Sequence, residues 1–164
     1  MIELQTLSLT KYDEKYSEIK EELENGTSSS GFIHQIKERL ENSNNNKTIF
    51  NSGFIILDGD IPVGYLFISS NINDEVFLEC SILKEFRGMG YGSRVTNEIS
   101  DYLFEKQNVR SIKLDIDPSN KKSILAANSC GFFLDEEEYE SRNYTGKMKF
   151  VKESNCYINK RKNR

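Results

Sequence analysis

Three glycines alternate in the string Arg87-Gly88-Met89-Gly90-Tyr91-Gly92. Residues that lack a β-carbon let successive backbone N–H groups turn toward one point, where together they can receive an anion. The run Val76-Phe77-Leu78-Glu79-Cys80-Ser81-Ile82-Leu83 before the glycines reads as a strand, and Ser93 onward continues as a helix. A helix starting there aims its positive dipole end and its unpaired N–H groups at the same place, and Arg87 adds a full positive charge. The chemistry implied is capture of a phosphate or diphosphate; the alternative is a tight turn beside a solvated arginine. Two known phosphate loops do not match. A Walker loop needs G-x-x-x-x-G-K followed by Ser or Thr, and no such string occurs. A dinucleotide fingerprint started at Gly88 needs its last glycine where Ser93 stands, and it belongs in an early β-α-β unit, whereas four predicted strands precede this loop.

The elements that must hold the loop can be read from periodicity. Residues 2–9 place Ile2, Leu4, Leu7 and Leu9 in a loose alternation, a short first strand. Tyr12, Tyr16, Ile19 and Leu23 form a helical stripe, with Thr10 as a cap and Asp13 three residues on. Asn25-Gly26 ends that helix, Thr27 to Gly31 turn, and Phe32, Ile33, Ile36 and Leu40 suggest a second, short one. The stretch Asn42-Ser43-Asn44-Asn45-Asn46 reads as a loop. Phe54-Ile55-Ile56-Leu57 followed by Asp58-Gly59 is a hairpin signal, because glycine accepts the positive φ that tight turns demand. The returning strand runs from Ile61 to Ser69, with Pro62 marking an edge or a strand start. Asn71 to Asp74 turn again into a fourth strand, Glu75 to Leu83.

After the glycines, Tyr91, Val95, Ile99, Tyr102 and Leu103 share one helical face. Residues 111–117 alternate Ile112, Leu114 and Ile116 against Lys113, Asp115 and Asp117, a half-buried strand. Pro118-Ser119-Asn120 opens a helix bearing Ile124, Leu125 and Ala127, which Gly131 stops. Phe132-Phe133-Leu134 and Lys147 to Val151 close the pattern as strands, and residues from Glu153 on read as polar and frayed. The fold class expected is α/β (α+β).

Composition bounds the function. At 164 residues the chain suits one domain with a core able to hold a ligand cleft. A formal charge of −4 argues against gripping nucleic acid over the whole surface. No apolar run approaches the ~20 residues of a membrane helix, and the start Met1-Ile2-Glu3-Leu4 lacks the basic and apolar blocks of a secretory signal. Cys80, Cys130 and Cys156 form no C-x-x-C pair, which fits a reducing, cytoplasmic setting without a zinc site. His34, the single histidine, rules out a multi-histidine metal site and reads as a surface residue of the second helix. Cys130, just before Gly131, reads as a small apolar packing residue.

The spaced string Arg87-x-x-Gly90-x-Gly92 resembles the acyl-CoA signature of the GNAT family of N-acetyltransferases: Arg or Gln, two residues, Gly, one residue, Gly or Ala. The string Asn120-Lys121-Lys122-Ser123-Ile124-Leu125-Ala126-Ala127-Asn128-Ser129-Cys130-Gly131-Phe132 is similar to the family's helix that opens on Asn, carries Ser or Ala three residues later and ends in Gly-Phe. The order of elements also agrees, and the resemblance spans residues 2–152, most specifically 75–133. It implies a mixed, mostly antiparallel central sheet of about six or seven strands with about four helices. The cofactor cleft would open where the fourth and fifth strands splay apart. Residues 1–152 would form a single acetyltransferase domain, and 153–164 a polar, basic tail.

What the resemblance implies for the site follows. Acetyl-CoA would be the co-substrate, with no metal. Its diphosphate would sit on Arg87, Gly88, Met89, Gly90, Tyr91, Gly92 and Ser93. Its pantetheine arm would pair with backbone groups near Ser81, Ile82 and Leu83, one of whose N–H groups would polarise the thioester carbonyl. Asn120 and Ser123 would hydrogen-bond the arm; read alone, Asn120 is also a plain helix cap and Ser123 a first-turn polar residue. The reaction is direct transfer of an acetyl group to a primary amine of a small molecule or peptide, and the amine must first lose a proton.

Glu79, inside the fourth strand among apolar neighbours, is the candidate base; the alternative is a solvated face or a structural ion pair. Glu85 is a second candidate. Many relatives place an acidic tyrosine four residues before the glycine of Gly-Phe, where this chain has Ala127. Tyr139 and Tyr144 are substitutes by type; equally, a thiol of pKa about 8.5 needs no acid. Asp135, Glu136, Glu137, Glu138 and Glu140 would attract a cationic acceptor or form a solvated hairpin, and the acceptor pocket would be walled by residues 25–32. Lys160, Arg161, Lys162 and Arg164 read as a solubilising end. No nucleic-acid or membrane partner is expected, and the protein would be a monomer or homodimer. Two further readings are a non-catalytic acyl-CoA-binding regulatory module, favoured by Ala127, and an enzyme that uses the glycine turn for ATP or NAD.

Overall fold

The computed structural model describes residues 2–6, 48–136, 146–155 and 158. The helices expected over 12–23 and 32–40, the asparagine-rich loop, His34, Cys156, Tyr139, Tyr144 and most of the acidic cluster lie outside the described residues. The strands are β1 (Ile2–Thr6), β2 (Ser52–Asp58), β3 (Ile61–Ile68), β4 (Glu75–Ile82), β5 (Ser111–Ile116), β6 (Phe133–Leu134) and β7 (Met148–Glu153). Two α-helices stand among the described residues, α1 (Tyr91–Lys106) and α2 (Lys121–Ser129), with a 3-10 turn at Lys84–Phe86. This is the mixed, mostly antiparallel α/β class the sequence implies. The chain divides into two compact units, Met1–Ser69 with Cys80–Tyr91, and Ser70–Glu79 with Gly92–Arg164.

In the first unit, β1, β2 and β3 follow one another antiparallel, and Cys80–Ile82 of β4 lies next to β3. Ile55, Ile56 and Leu57 are buried in succession, as are Val63 to Ile68 apart from the glycine's missing side chain. A run buried on both faces loses the polar–apolar alternation of a half-exposed strand, and each such side chain contributes about 1.5–3 kcal/mol by leaving water. The hairpin turn falls one residue later than Asp58-Gly59 suggests. Asp58 pairs with Ile61, so the two-residue loop is Gly59-Asp60, and Gly59 leads it with φ +62. The register slips between Ile56, opposite Gly64, and Leu57, opposite Pro62, which makes Val63 the extra residue of a bulge. Pro62 stands at the strand start, where its missing N–H costs little.

In the second unit the strands run β4-β5-β7-β6. β4 and β5 are parallel, with registers Glu75↔Ser111, Val76↔Ile112 and Phe77↔Lys113. A parallel neighbour needs a crossover, and α1 supplies it. The turn into β4 is closed by mutual hydrogen bonds of Ile72 and Glu75, with Asn73 and Asp74 both left-handed (φ 54 and 61). Val95, Ile99 and Leu103 of α1 are buried, as the stripe implies, but Tyr102 is exposed. The buried arc extends from Val95 through Leu103 to Ser100, leaving Tyr102 on its rim. Ser100 tolerates burial because its hydroxyl donates to the Thr96 carbonyl at 2.6 Å.

On α2 Leu125 is likewise exposed, and only Ala127 is buried. The helix is stopped as expected. Gly131 has φ +80, its N–H reaches the Asn128 carbonyl, and the N–H of Phe132 reaches Ala127. This double closure brings the residues after and before the stop together, and Ala127, Cys130 and Phe132 are all buried there. β7 extends past the expected end at Val151: Glu153 pairs with Ser111, and Ser154 N–H donates to the Arg110 carbonyl. Glu153 is therefore strand, not frayed tail.

Glu75 takes Arg110 and, at 3.0 Å, Lys113 as ion partners. Burial pushes its carboxyl pKa up, but the hydrogen bond and charge of Lys113, with Ser111 and Arg110, outweigh it and leave the pKa below the ordinary 4.5. A depressed acid stabilises the fold above the unfolded pKa and loses that contribution as the pH falls through the folded one. Urea denaturation of Glu75→Gln at neutral pH should therefore read about 1 kcal/mol less stable than wild type, a discounted figure for a partly exposed network. The difference should close under acid conditions that protonate Glu75; a gap unchanged by acid would remove the assignment.

Candidate active site

Chain order places the glycine loop after β4 and the 3-10 turn at Lys84–Phe86, and before α1. Gly88 and Gly90 adopt φ +82 and +84, a conformation that L side chains rarely take. A β-carbon added at either would meet open space, so their identity is demanded by backbone conformation rather than by crowding. Gly92 differs: it is the second residue of α1, and the left-handed pattern stops at Gly90. Among the described residues, no carbonyl accepts from the N–H groups of Gly88, Met89 or Gly90. All three are exposed, as is Arg87.

The loop is fastened at both ends inside the first unit. Leu83 N–H donates to Val63 at 2.9 Å, and the 3-10 turn closes through Phe86 N–H to Leu83 and Arg87 N–H to Lys84. The Phe86 ring meets the Tyr91 ring edge-on, centroids 6.1 Å apart. Arg87 Nε donates to the Ile82 carbonyl at 2.8 Å, and the Tyr91 hydroxyl donates to Asp58 Oδ2. Because Leu83 is spent on β3, strand alternation turns the peptide groups of Ile82 away from β3. Of the three residues expected to meet a pantetheine arm, the N–H of Leu83 is thus engaged by the fold, while that of Ile82 points elsewhere. Ser81 and Ile82 are half-buried and Leu83 is buried.

Sequence reading missed Gly64. A β-carbon there would lie 2.4 Å from the Ser81 carbonyl oxygen and 3.1 Å from the Ile82 α-carbon, so β3 and the end of β4 approach closely only because this residue is glycine. The signal available was a lone glycine inside an apolar strand, Val63-Gly64-Tyr65.

In the second unit, Glu75, Phe77 and Glu79 alternate with the buried Val76 and Leu78. Glu79 therefore shares its strand face with the exposed Phe77 and is half-buried, rather than surrounded by the apolar neighbours adjacent in sequence. Asn120 caps α2, its Oδ1 accepting from Ser123 N–H at 3.1 Å. The alternative reading of Asn120 as a cap is thus observed; its side-chain N–H groups are not used in that bond. Ser119 donates both its hydroxyl and its N–H to Asp117, at 2.6 and 2.8 Å, and these bonds hold that carboxyl below the ordinary carboxylate range. Ser93, early in α1, receives Cys130 Sγ on its carbonyl at 3.5 Å, which joins the start of α1 to the end of α2. Cys130 is buried, the packing role its position suggests.

Among the described residues, no group of three or more His, Cys, Asp and Glu is placed to hold a metal ion, and no helix is long and apolar enough to cross a membrane.

Comparison with known proteins adds a family model. The acetyltransferase (GNAT) family model matches residues 12–132, a span that contains the loop and α2. Comparison with curated proteins finds no match. Among solved structures, an acetyltransferase from Agrobacterium tumefaciens is similar at TM-score 0.73 and 16% identity, covering 93% of this chain and 91% of that one. A dodecameric spermidine N-acetyltransferase from Vibrio cholerae is similar at TM-score 0.71 and 19% identity, covering 97% of each chain. A ribosomal-protein-S5-alanine acetyltransferase from Vibrio fischeri is similar at TM-score 0.71 and 16% identity, covering 95% and 94%. Likeness at these identities speaks to the fold.

Gly64 and Gly90 are required for different reasons, and replacing either should cost stability. Gly64→Ala has a backbone oxygen to displace and should cost about 1–3 kcal/mol in urea denaturation. Gly90→Ala meets open space and bears only the left-handed penalty, about 1–2 kcal/mol. A Gly64→Ala protein as stable as wild type would contradict the close approach of β3 and β4.

Proposed function

We propose, because this chain belongs to the acetyltransferase (GNAT) family and is therefore an acyltransferase, that it moves an acetyl group from acetyl-CoA to a primary amine of a small molecule or peptide by direct transfer. The observation that supports this reading is the run of exposed residues Gly88, Met89 and Gly90, whose N–H groups meet no acceptor among the described residues and suit a diphosphate. When bound, the co-substrate supplies an activated acetyl group as a thioester. The chain's part is to bind, orient and move a proton. The amides of residues 88–90 bind the diphosphate, with Arg87 adding charge and Tyr91, Gly92 and Ser93 carrying the turn into the helix. The N–H of Ile82, turned away from β3, is the donor we assign to the thioester carbonyl. Asn120, through its unused amide N–H groups, and Ser123 are assigned to the arm.

Glu79 is assigned as the base that takes the proton of the acceptor ammonium, directly or through water. It is half-buried, on the strand face it shares with Phe77. A cationic acceptor suits the acidic residues 135–140. The likeness to a spermidine N-acetyltransferase puts polyamines on the list of amines to try. We read the chain through the end of β7 at Glu153 as one acetyltransferase domain, cytoplasmic, with no nucleic-acid or membrane partner.

The second reading, a module that binds acyl-CoA without turning it over, draws on Ala127. The residue is buried and offers no hydroxyl where many relatives place their acid. Continuous measurement of free thiol over a panel of polyamines, aminoglycosides and peptide N-termini separates the two. The leading reading expects thiol release with at least one amine; binding of acetyl-CoA with no release from any would favour the module. With the responsive amine, Glu79→Gln should lower kcat roughly 10²-fold or more. An unchanged kcat at saturating amine would take Glu79 out of the mechanism.

A further inference from the structure

Asp58 ends β2, and its backbone is paired on both sides, with Ile2 of β1 and with Ile61 of β3. The turn begins one residue later, at Gly59, so the Asp58 side chain is not consumed by the hairpin. Its Oδ2 instead accepts the hydroxyl of Tyr91, thirty-three residues away in sequence. Tyr91 is the residue at which the glycine loop ends, and its ring meets that of Phe86, the residue before Arg87. Residues 87–90 are therefore strung between two rings in contact, and the second ring is moored to a strand held from both edges.

Such a mooring matters most for this kind of loop. Glycine is the most permissive residue, and a segment with two left-handed glycines samples many shapes unless something outside it fixes the ends. Amides that have to be gathered at the moment of binding lose affinity to that ordering. The Arg87 tie to Ile82 fixes the entry side; the Tyr91 tie to Asp58 fixes the exit.

Electrostatics alone argues the other way. A carboxylate near a site for a diphosphate repels the ligand, so a purely Coulombic view expects affinity to improve when it is removed.

We propose that Asp58 is a positioning residue: through the Tyr91 hydroxyl it holds the amides of residues 87–90 in the arrangement that receives a diphosphate. The proposal rests on the reading of this loop as the acetyl-CoA diphosphate site.

The test is calorimetric titration of coenzyme A into wild type, Asp58→Ala, Asp58→Asn, Tyr91→Phe and the double variant Asp58→Ala/Tyr91→Phe. Positioning expects Asp58→Ala to weaken binding about tenfold, the size of one hydrogen bond to a charged acceptor. Asp58→Asn keeps an oxygen that can accept and should recover most of that loss. Tyr91→Phe removes only a hydroxyl, which keeps the test available if Asp58→Ala folds poorly. It should weaken binding to a similar degree, and the double variant should lose no more than either single one, because the two groups act as a unit. Binding as tight as wild type, or tighter, in Asp58→Ala and Asp58→Asn overturns the proposal and leaves the diphosphate reading standing. Losses that add in the double variant overturn it as well, since the two residues would then act separately. A wild type that does not bind coenzyme A removes the diphosphate reading, and the proposal with it.

Discussion

The N–H groups of Gly88, Met89 and Gly90 meet no acceptor among the described residues, and the first unit ties the segment that carries them at both ends. A peptide N–H without an acceptor is costly when buried, so these three stand at the surface, where solvent or a ligand can meet them. Outward amides in a row also demand alternating backbone hands, which only glycine takes without strain at Gly88 and Gly90. The same freedom that permits the shape would dissolve it. The loop is accordingly short, entered from a 3-10 turn whose own hydrogen bonds are closed, and left through a helix. Met89, at its tip, is among the most exposed apolar residues described. That placement is explained by the backbone: with Gly88 and Gly90 setting the hands on either side, the Met89 side chain has no interior to turn toward.

How far the site was legible in the sequence depends on the range of the interaction involved. Features set by neighbours along the chain were readable. The stop at Gly131, the burial of Cys130 and the cap that Asn120 offers as an alternative reading are local consequences of residue type, whereas the left-handed turns fall on Gly88 and Gly90 and not on Gly92. Features set by pairing between distant strands were not. Gly64 is required by the Ser81 carbonyl, which sequence gives no reason to place beside it. The turn lies at Gly59-Asp60 and a bulge at Val63 changes the register by one residue, a change that cannot be seen in apolar runs buried on both faces. Amphipathic stripes came out right at their centre and wrong at their rim. Val95, Ile99 and Leu103 are interior, whereas Tyr102 and Leu125 are exposed, because the width of a buried arc is fixed by what packs on it. The family resemblance, in contrast, depends on local motifs and element order, which is why it survived these errors and agrees with the family match over residues 12–132.

β4 shows how alternation divides one strand between a buried and a more exposed face. In its first part the buried Val76 and Leu78 take one face, so Glu75, Phe77 and Glu79 are left on the other. Glu75 is held by Arg110 and Lys113 and is thereby committed to the fold. Glu79, two positions further along the same face, comes after the parallel register with β5 ends at Phe77↔Lys113. The same alternation acts on backbone groups at the strand's end. Leu83 spends its N–H on Val63, and the N–H of Ile82 is directed away from β3.

Arg87 ties the entry of the loop to the end of β4, a task that suits a guanidinium. Its Nε is given to the Ile82 carbonyl at 2.8 Å, which fixes the plane of the guanidinium against the end of β4. The Nη groups are the part of the fork that this bond does not use. A guanidinium can divide its donors in this way because they lie in a rigid plane: one edge can be spent on structure while the others keep their direction. A lysine ammonium carries a comparable charge at a single point. If it turned back to the Ile82 carbonyl, the charge would go with it; if it extended into solvent, the loop's entry would lose its tie. The charge on Arg87 is also delocalised and weakly hydrated, so holding it against a carbonyl costs less than holding an ammonium there. Loop shape and positive charge are thus not independent contributions at this position, and the exit tie through Tyr91 gains its importance from that: with Arg87 committed to β4, the remaining freedom of the loop lies at its other end.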